Sequence, residues 1–105
     1  MERGREEILQ SIKEILHSIA PDAKIILYGS RSRGDARKDS DWDLIILLHK
    51  SQIKPQDFDR ISYPIYELGW KLGEQFSPKL YTVEEWQKRS FTPFYKNVKK
   101  EGIVL

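Results

Sequence analysis

One stretch constrains this chain more than any other: Asp41-Trp42-Asp43-Leu44-Ile45-Ile46-Leu47-Leu48. Its last five residues are wholly apolar, so a strand here is covered on both faces and lies in the middle of a sheet. Ile25-Ile26-Leu27-Tyr28 is a second continuous apolar run and reads as another buried strand, stopping at Gly29-Ser30. Buried strands need helices to cover them, and the chain supplies these. Ile8, Ile12, Ile15, Leu16 and Ile19 recur at spacings of three and four, one face of a helix over Arg5 to Ile19. Pro21 and Asp22 end it. The polar stretch Arg31 to Ser40 reads as one short helical turn and a loop.

Pro55 is placed to open a further helix, in which Phe58, Ile61, Ile65, Leu68 and Leu72 recur at helical spacing. Pro64 inside that pattern is expected to kink or break it. Phe76 to Tyr81 reads as a third strand, held to an edge by Pro78. Thr82-Val83-Glu84-Glu85 has the form of a capping box. Thr92-Pro93 opens a last helix, Gly102 closes it, and Ile103-Val104-Leu105 forms a short terminal strand. The 105 residues give room for a single domain, 1–105, of α/β (α+β) class with helices on the sheet.

Without cysteine, disulfides and thiolate metal sites are excluded, which fits a cytoplasmic protein. The charged start Met1-Glu2-Arg3-Gly4-Arg5-Glu6-Glu7 is no signal peptide, and no apolar run approaches the roughly 20 residues that span a bilayer. A net charge of +2, from 18 basic and 16 acidic residues, does not call for nucleic acid as the main partner.

Asp41 and Asp43 lie on one face of their strand, because successive side chains alternate. Their Cα atoms are about 6.6 Å apart, and two carboxylates at that range repel by roughly 3 kcal/mol at an effective dielectric near 20. A divalent cation reverses the sign of that interaction, since hard ions take carboxylate and phosphate oxygens together. An isolated Asp-x-Asp is more often a solvated loop. A second element follows the preceding strand: Gly29-Ser30-Arg31-Ser32-Arg33-Gly34. Gly29 allows a sharp turn and the approach of phosphate oxygens, Ser30 offers a hydroxyl, and Arg31 and Arg33 offer charged forks. No Gly-Lys-Ser/Thr follows, so this is not a Walker loop.

Taken together, Gly29 to Gly34 and Ser40-Asp41-Trp42-Asp43-Leu44 resemble the signature of the DNA polymerase β-like nucleotidyltransferases. They most resemble the smallest branch, the minimal nucleotidyltransferases (MNT). The resemblance implies a small mixed β-sheet flanked by helices. It implies that Gly29 and Ser30 hold a nucleoside triphosphate, ATP above all, and that Asp41 and Asp43 bind Mg2+ or Mn2+. It also implies a partner, because MNT proteins commonly accompany a helical HEPN toxin as its antitoxin, and some transfer AMP to a tyrosine of that toxin.

The chain departs from the family in one respect. Relatives often carry a third carboxylate on a later strand, and here that strand, Gln75 to Tyr81, has none. Glu74 precedes it, while Glu84 and Glu85 follow it. Two functions therefore stand side by side: magnesium-dependent transfer of AMP to a hydroxyl, and a weakly catalytic or non-catalytic antitoxin that neutralises its partner by covering it. His17 and His49 lack partners at metal-ligand spacing and read as structural or surface residues. Trp70 and Trp86 read as core, and Trp42 as packed beneath the helices on the face opposite the aspartates.

Overall fold

The computed structural model describes residues 4–105; Met1, Glu2 and Arg3 of the charged start lie outside the described residues. Helix α1 spans Arg5–Ile19 and strand β1 Lys24–Tyr28; a single turn, α2, covers Ser30–Arg33. Strand β2 is Trp42–Leu48. Helix α3 (Pro55–Asp57), a π-helical turn (Phe58–Ser62) and α4 (Tyr63–Leu72) follow without a gap. Strand β3 (Phe76–Thr82), α5 (Val83–Lys88), α6 (Pro93–Glu101) and β4 (Ile103–Val104) complete the chain.

The sheet order is β3-β2-β1-β4. Strand β2 runs antiparallel to β1 and parallel to β3, and β1 runs antiparallel to β4. The all-apolar β2 thus has a neighbour on each side, and β3 with its Pro78 takes an edge. A parallel β2–β3 pair needs a long crossover, which α3, the π turn and α4 provide.

Alternation along the strands divides the interior in two. Ile25, Leu27, Trp42, Leu44, Ile46, Leu48 and Phe76 pack against Ile8, Leu9, Ile12 and Leu16 of α1 and against Ile61 and Ile65. On the other face Ile26, Ile45 and Leu47 meet Trp86 of α5 and Val98 of α6. Helices therefore flank both faces of a mixed sheet.

Two expectations need correction. Around Pro64 the chain stays helical but loses its regular α-helical form, because a π turn precedes the proline, with the Tyr63 amide donating to the Phe58 carbonyl five residues back. The wider turn takes up the residue whose ring and missing N–H would disturb a regular helix. That turn also inserts a residue into the apolar spacing, so Phe58 falls off the face shared by Ile61 and Ile65 and is exposed. Trp70, expected in the core, is 70% exposed. It continues a solvent-facing stripe with Tyr63 and Tyr66 at spacings of three and four, and its ring meets that of Tyr63 edge-on at 6.0 Å. Trp86 is buried as expected. Among the described residues no helix is long and apolar enough to cross a membrane.

Candidate active site

Strand β1 ends at Tyr28, and Gly29 reverses the chain with φ +77°, a backbone conformation open to glycine and costly to other residues. A side chain at Gly29 meets a second obstacle. Its Cβ would stand 2.5 Å from the Asp43 Oδ2, so the β2 carboxylate lies directly against the bare backbone of the turn. The antiparallel register, Tyr28 opposite Asp43, makes that approach possible. Ser30 opens α2. The Ser32 and Arg33 amides donate back to the Gly29 carbonyl, while the first amides of a helical turn have no partner within it.

Asp41 stands just before β2, on the same side as Asp43. Its Oδ2 accepts a hydrogen bond from the Ser77 Oγ at 3.0 Å. The parallel register sets Ser77 beside Asp43, so the position next to the aspartate pair on β3 carries a hydroxyl. Burial and then the charge of Asp41 raise the Asp43 pKa above the ordinary carboxylate value, against the opposing pull of Lys79 and Arg33. Tyr28, half-buried beside Asp43, is pushed up to about 12, by burial first and then by that carboxylate and by Tyr81.

None of the three glutamates near β3 in sequence joins this face. The Glu74 Oε2 accepts from the Trp42 indole at 3.1 Å, on the opposite side of the sheet. Glu85 caps the Thr82 amide at 3.0 Å, and Glu84 pairs with Lys88 at 3.2 Å. Among the described residues no group of three or more His, Cys, Asp or Glu side chains could hold a metal ion. The pair nevertheless fits a divalent ion that arrives with phosphates. Its donors are all oxygen, and a cation relieves the repulsion that adds to burial in raising Asp43.

The two arginines of the turn serve differently from one another. Arg31 lies on the Trp42 side. Its guanidinium stacks over the Trp42 ring at 4.4 Å, donates to the Ser40 carbonyl at 2.8 Å and to that of Lys38 at 3.2 Å, and lies 3.8 Å from Glu74. It pins the loop that delivers Asp41. A cleft of about 720 Å3 opens on this side, lined by Arg5, Arg31, Arg37, Trp42 and Glu74 among others. Neither aspartate lines it, so the placement of carboxylates, not the size of the cleft, locates the site. Arg33 is exposed and ion-paired with Asp35 at 3.2 Å and with Glu101 of α6 at 3.1 Å, yet its charge still reaches Asp43. The structure thus gathers Gly29, Ser30, Asp41 and Asp43, leaves Arg33 at the margin and turns Arg31 away. It adds Ser77, Lys79 and Tyr28, which share a face with the aspartates only through sheet register. His17 and His49 are exposed and away from the pair.

The same architecture recurs in known proteins. A solved structure described as "putative minimal nucleotidyltransferase" superposes with a TM-score of 0.67 at 24% identity, over 100% of this chain and 97% of its own. A Methanocaldococcus jannaschii protein named "Putative protein adenylyltransferase" is 31% identical over 101 residues, covering 91% of this chain and 95% of that one. The model of the nucleotidyltransferase domain matches residues 9–105. With that span matched, and with the Gly-Ser turn set against an Asp-x-Asp strand, the chain belongs to the nucleotidyltransferase domain family.

Proposed function

We propose that this protein transfers AMP from ATP to a hydroxyl, with Mg2+ or Mn2+, and that the hydroxyl belongs to a helical HEPN-type partner whose toxicity the transfer silences. The observation that carries the reading is the contact of the Asp43 carboxylate with the side-chain-free Gly29. A triphosphate lying along the Gly29-Ser30 turn has its phosphates next to both aspartates, with no Cβ between. The relative named as a protein adenylyltransferase supports a protein acceptor.

In such a transfer the acceptor oxygen bonds to the α-phosphorus, the bond from that phosphorus to the bridging α,β-oxygen breaks, and pyrophosphate leaves. Bound with the nucleotide, the divalent ion neutralises phosphate charge. The chain's own residues do the positioning. Asp41 is steadied by Ser77 and Asp43 by its seat against Gly29. No glutamate near β3 is placed to take the acceptor proton, which therefore passes to water. A missing general base costs typically 10²–10⁴-fold, and a partner that holds its hydroxyl at the site offsets part of that loss.

Calorimetry of ATP binding with magnesium tests the site, and Asp41→Asn or Asp43→Asn should abolish the metal-dependent heat. Labelled AMP should then appear on the co-expressed partner and not on free sugars or tyrosine. The neutral Ser77 beside Asp43 favours a second reading, in which the protein binds nucleotide and neutralises its partner by covering it. Under that reading Asp43→Asn leaves neutralisation unchanged and no label is incorporated.

A further inference from the structure

Strand β3 presents Ser77, Lys79 and Tyr81 on the face that β2 fills with Asp43, Ile45 and Leu47. Lys79 is opposite Ile45, one step diagonal from Asp43. At strand spacings of about 4.8 Å across and 3.3 Å along, the two Cα atoms are roughly 8 Å apart, within reach of a lysine stem. Lys79 is exposed, yet its ammonium has an aromatic neighbour. It lies 4.9 Å above the ring of Phe94, at the start of α6, a distance at which a ring face attracts a cation. From there its charge acts on Asp43 and opposes the effect of Asp41.

The face therefore carries two carboxylates, a neutral hydroxyl at the position between them on β3, and a lysine held by an aromatic ring. A pair of divalent ions about 4 Å apart needs bridging and terminal carboxylates for both. Ser77 gives the second ion no anionic ligand, and the Lys79 ammonium repels it.

We propose that this site takes a single divalent ion, the one that arrives with the triphosphate, and that Lys79 supplies the second positive charge by contacting the phosphates. Phe94 positions that ammonium. The proposal rests on the nucleotidyl-transfer reading, and it makes Lys79 a substrate-contacting residue that sequence spacing alone does not reveal.

The test counts metal ions by electron paramagnetic resonance, titrating manganese into wild-type protein saturated with α,β-methylene-ATP. One bound manganese per protein is the expected result. Lys79→Gln should weaken binding of the analogue by about tenfold or more, as loss of a charge-assisted contact does, and Lys79→Arg should retain most of it. The double variant Ser77→Asp, Lys79→Ala should bind a second manganese, its fold checked by circular dichroism. Two manganese ions on the wild type overturn the proposal, and that measurement needs no variant to fold. Undiminished binding of the analogue by Lys79→Gln overturns it as well. Failure of the wild type to bind manganese and analogue at all removes the nucleotidyl-transfer reading, and this proposal with it.

Discussion

Gly29 and Asp43 depend on each other. A substitution at Gly29 meets both a positive φ and the Asp43 carboxylate, which must turn away to admit a Cβ. Gly29→Ala should cost about 1–3 kcal/mol in stability and eliminate ATP binding, read by urea denaturation and calorimetry. Asp43→Asn should separate the two properties. Its carboxyl is raised in the folded protein, so its ionised form is disfavoured there relative to the unfolded chain. An acid with a raised folded value weakens the fold above that value, and stability returns as pH falls through it. A neutral amide of the same shape removes the penalty. Asp43→Asn should raise the melting temperature of the nucleotide-free protein near neutral pH while abolishing metal-dependent nucleotide binding. A lower melting temperature, with no change in binding, would place Asp43 in a structural role. The aspartate pair and the Gly-Ser turn are legible in the sequence, because each is a local pattern. Arg31 is not, since its stacking on Trp42 and its bonds to Ser40 and Lys38 form only when the loop folds back.

Among the elements, β1 and β2 are legible because burial on both faces leaves a continuous apolar run, and α1 because its apolar stripe has a single period. The parallel register of β2 and β3 has no local signature. A shift by one residue would send Ser77 and Lys79 to the Trp42 side, and only the crossover and the packing of Phe76 fix the alignment. The π turn hides in the same way: its extra residue breaks the helical spacing that groups Phe58 with Ile61 and Ile65. Trp70 and Trp86 look alike in the sequence and differ in the fold. Trp86 packs against Tyr81, Phe94 and Tyr95 beneath α5 and α6. Trp86→Ala should cost about 3–5 kcal/mol, by cavity and lost burial together. Trp70→Ala should cost less than about 1 kcal/mol, the scale of its edge-on pair with Tyr63. Chemical denaturation of both variants decides this, and equal costs would mean that α4 packs its other face inward.

Across the whole molecule, the long crossover between β2 and β3 is fastened by one buried acid. Asp57 is 1% exposed and accepts from the Lys50 Nζ at 2.8 and 2.9 Å, from the Lys54 amide at 2.8 Å and from Arg60 at 3.2 Å. Arg60 also reaches the Ile19 carbonyl at the end of α1, so the cluster joins the strand exit, the crossover and the first helix. These bonds, with Lys50 first and the Lys54 amide second, hold the Asp57 carboxyl down at about 2, against the opposing effect of burial. A carboxyl depressed in the folded state stabilises the fold above its unfolded value near 3.9, and the gain is lost as pH falls through the folded value. Acid unfolding should therefore steepen between about pH 4 and pH 2. Asp57→Ala should lower stability at neutral pH by about 1–3 kcal/mol, since the Lys54 amide and the Lys50 ammonium lose their acceptor, and should flatten that acid limb. Asp57→Asn should recover part of the loss, as its carbonyl still accepts from Lys54. Because the cluster lies apart from the aspartate pair, nucleotide affinity should stay unchanged in both variants wherever they remain folded. Denaturation curves collected from pH 2 to pH 7 measure the slope directly, and an Asp57→Ala variant with the wild-type slope would assign the acid limb to other carboxylates.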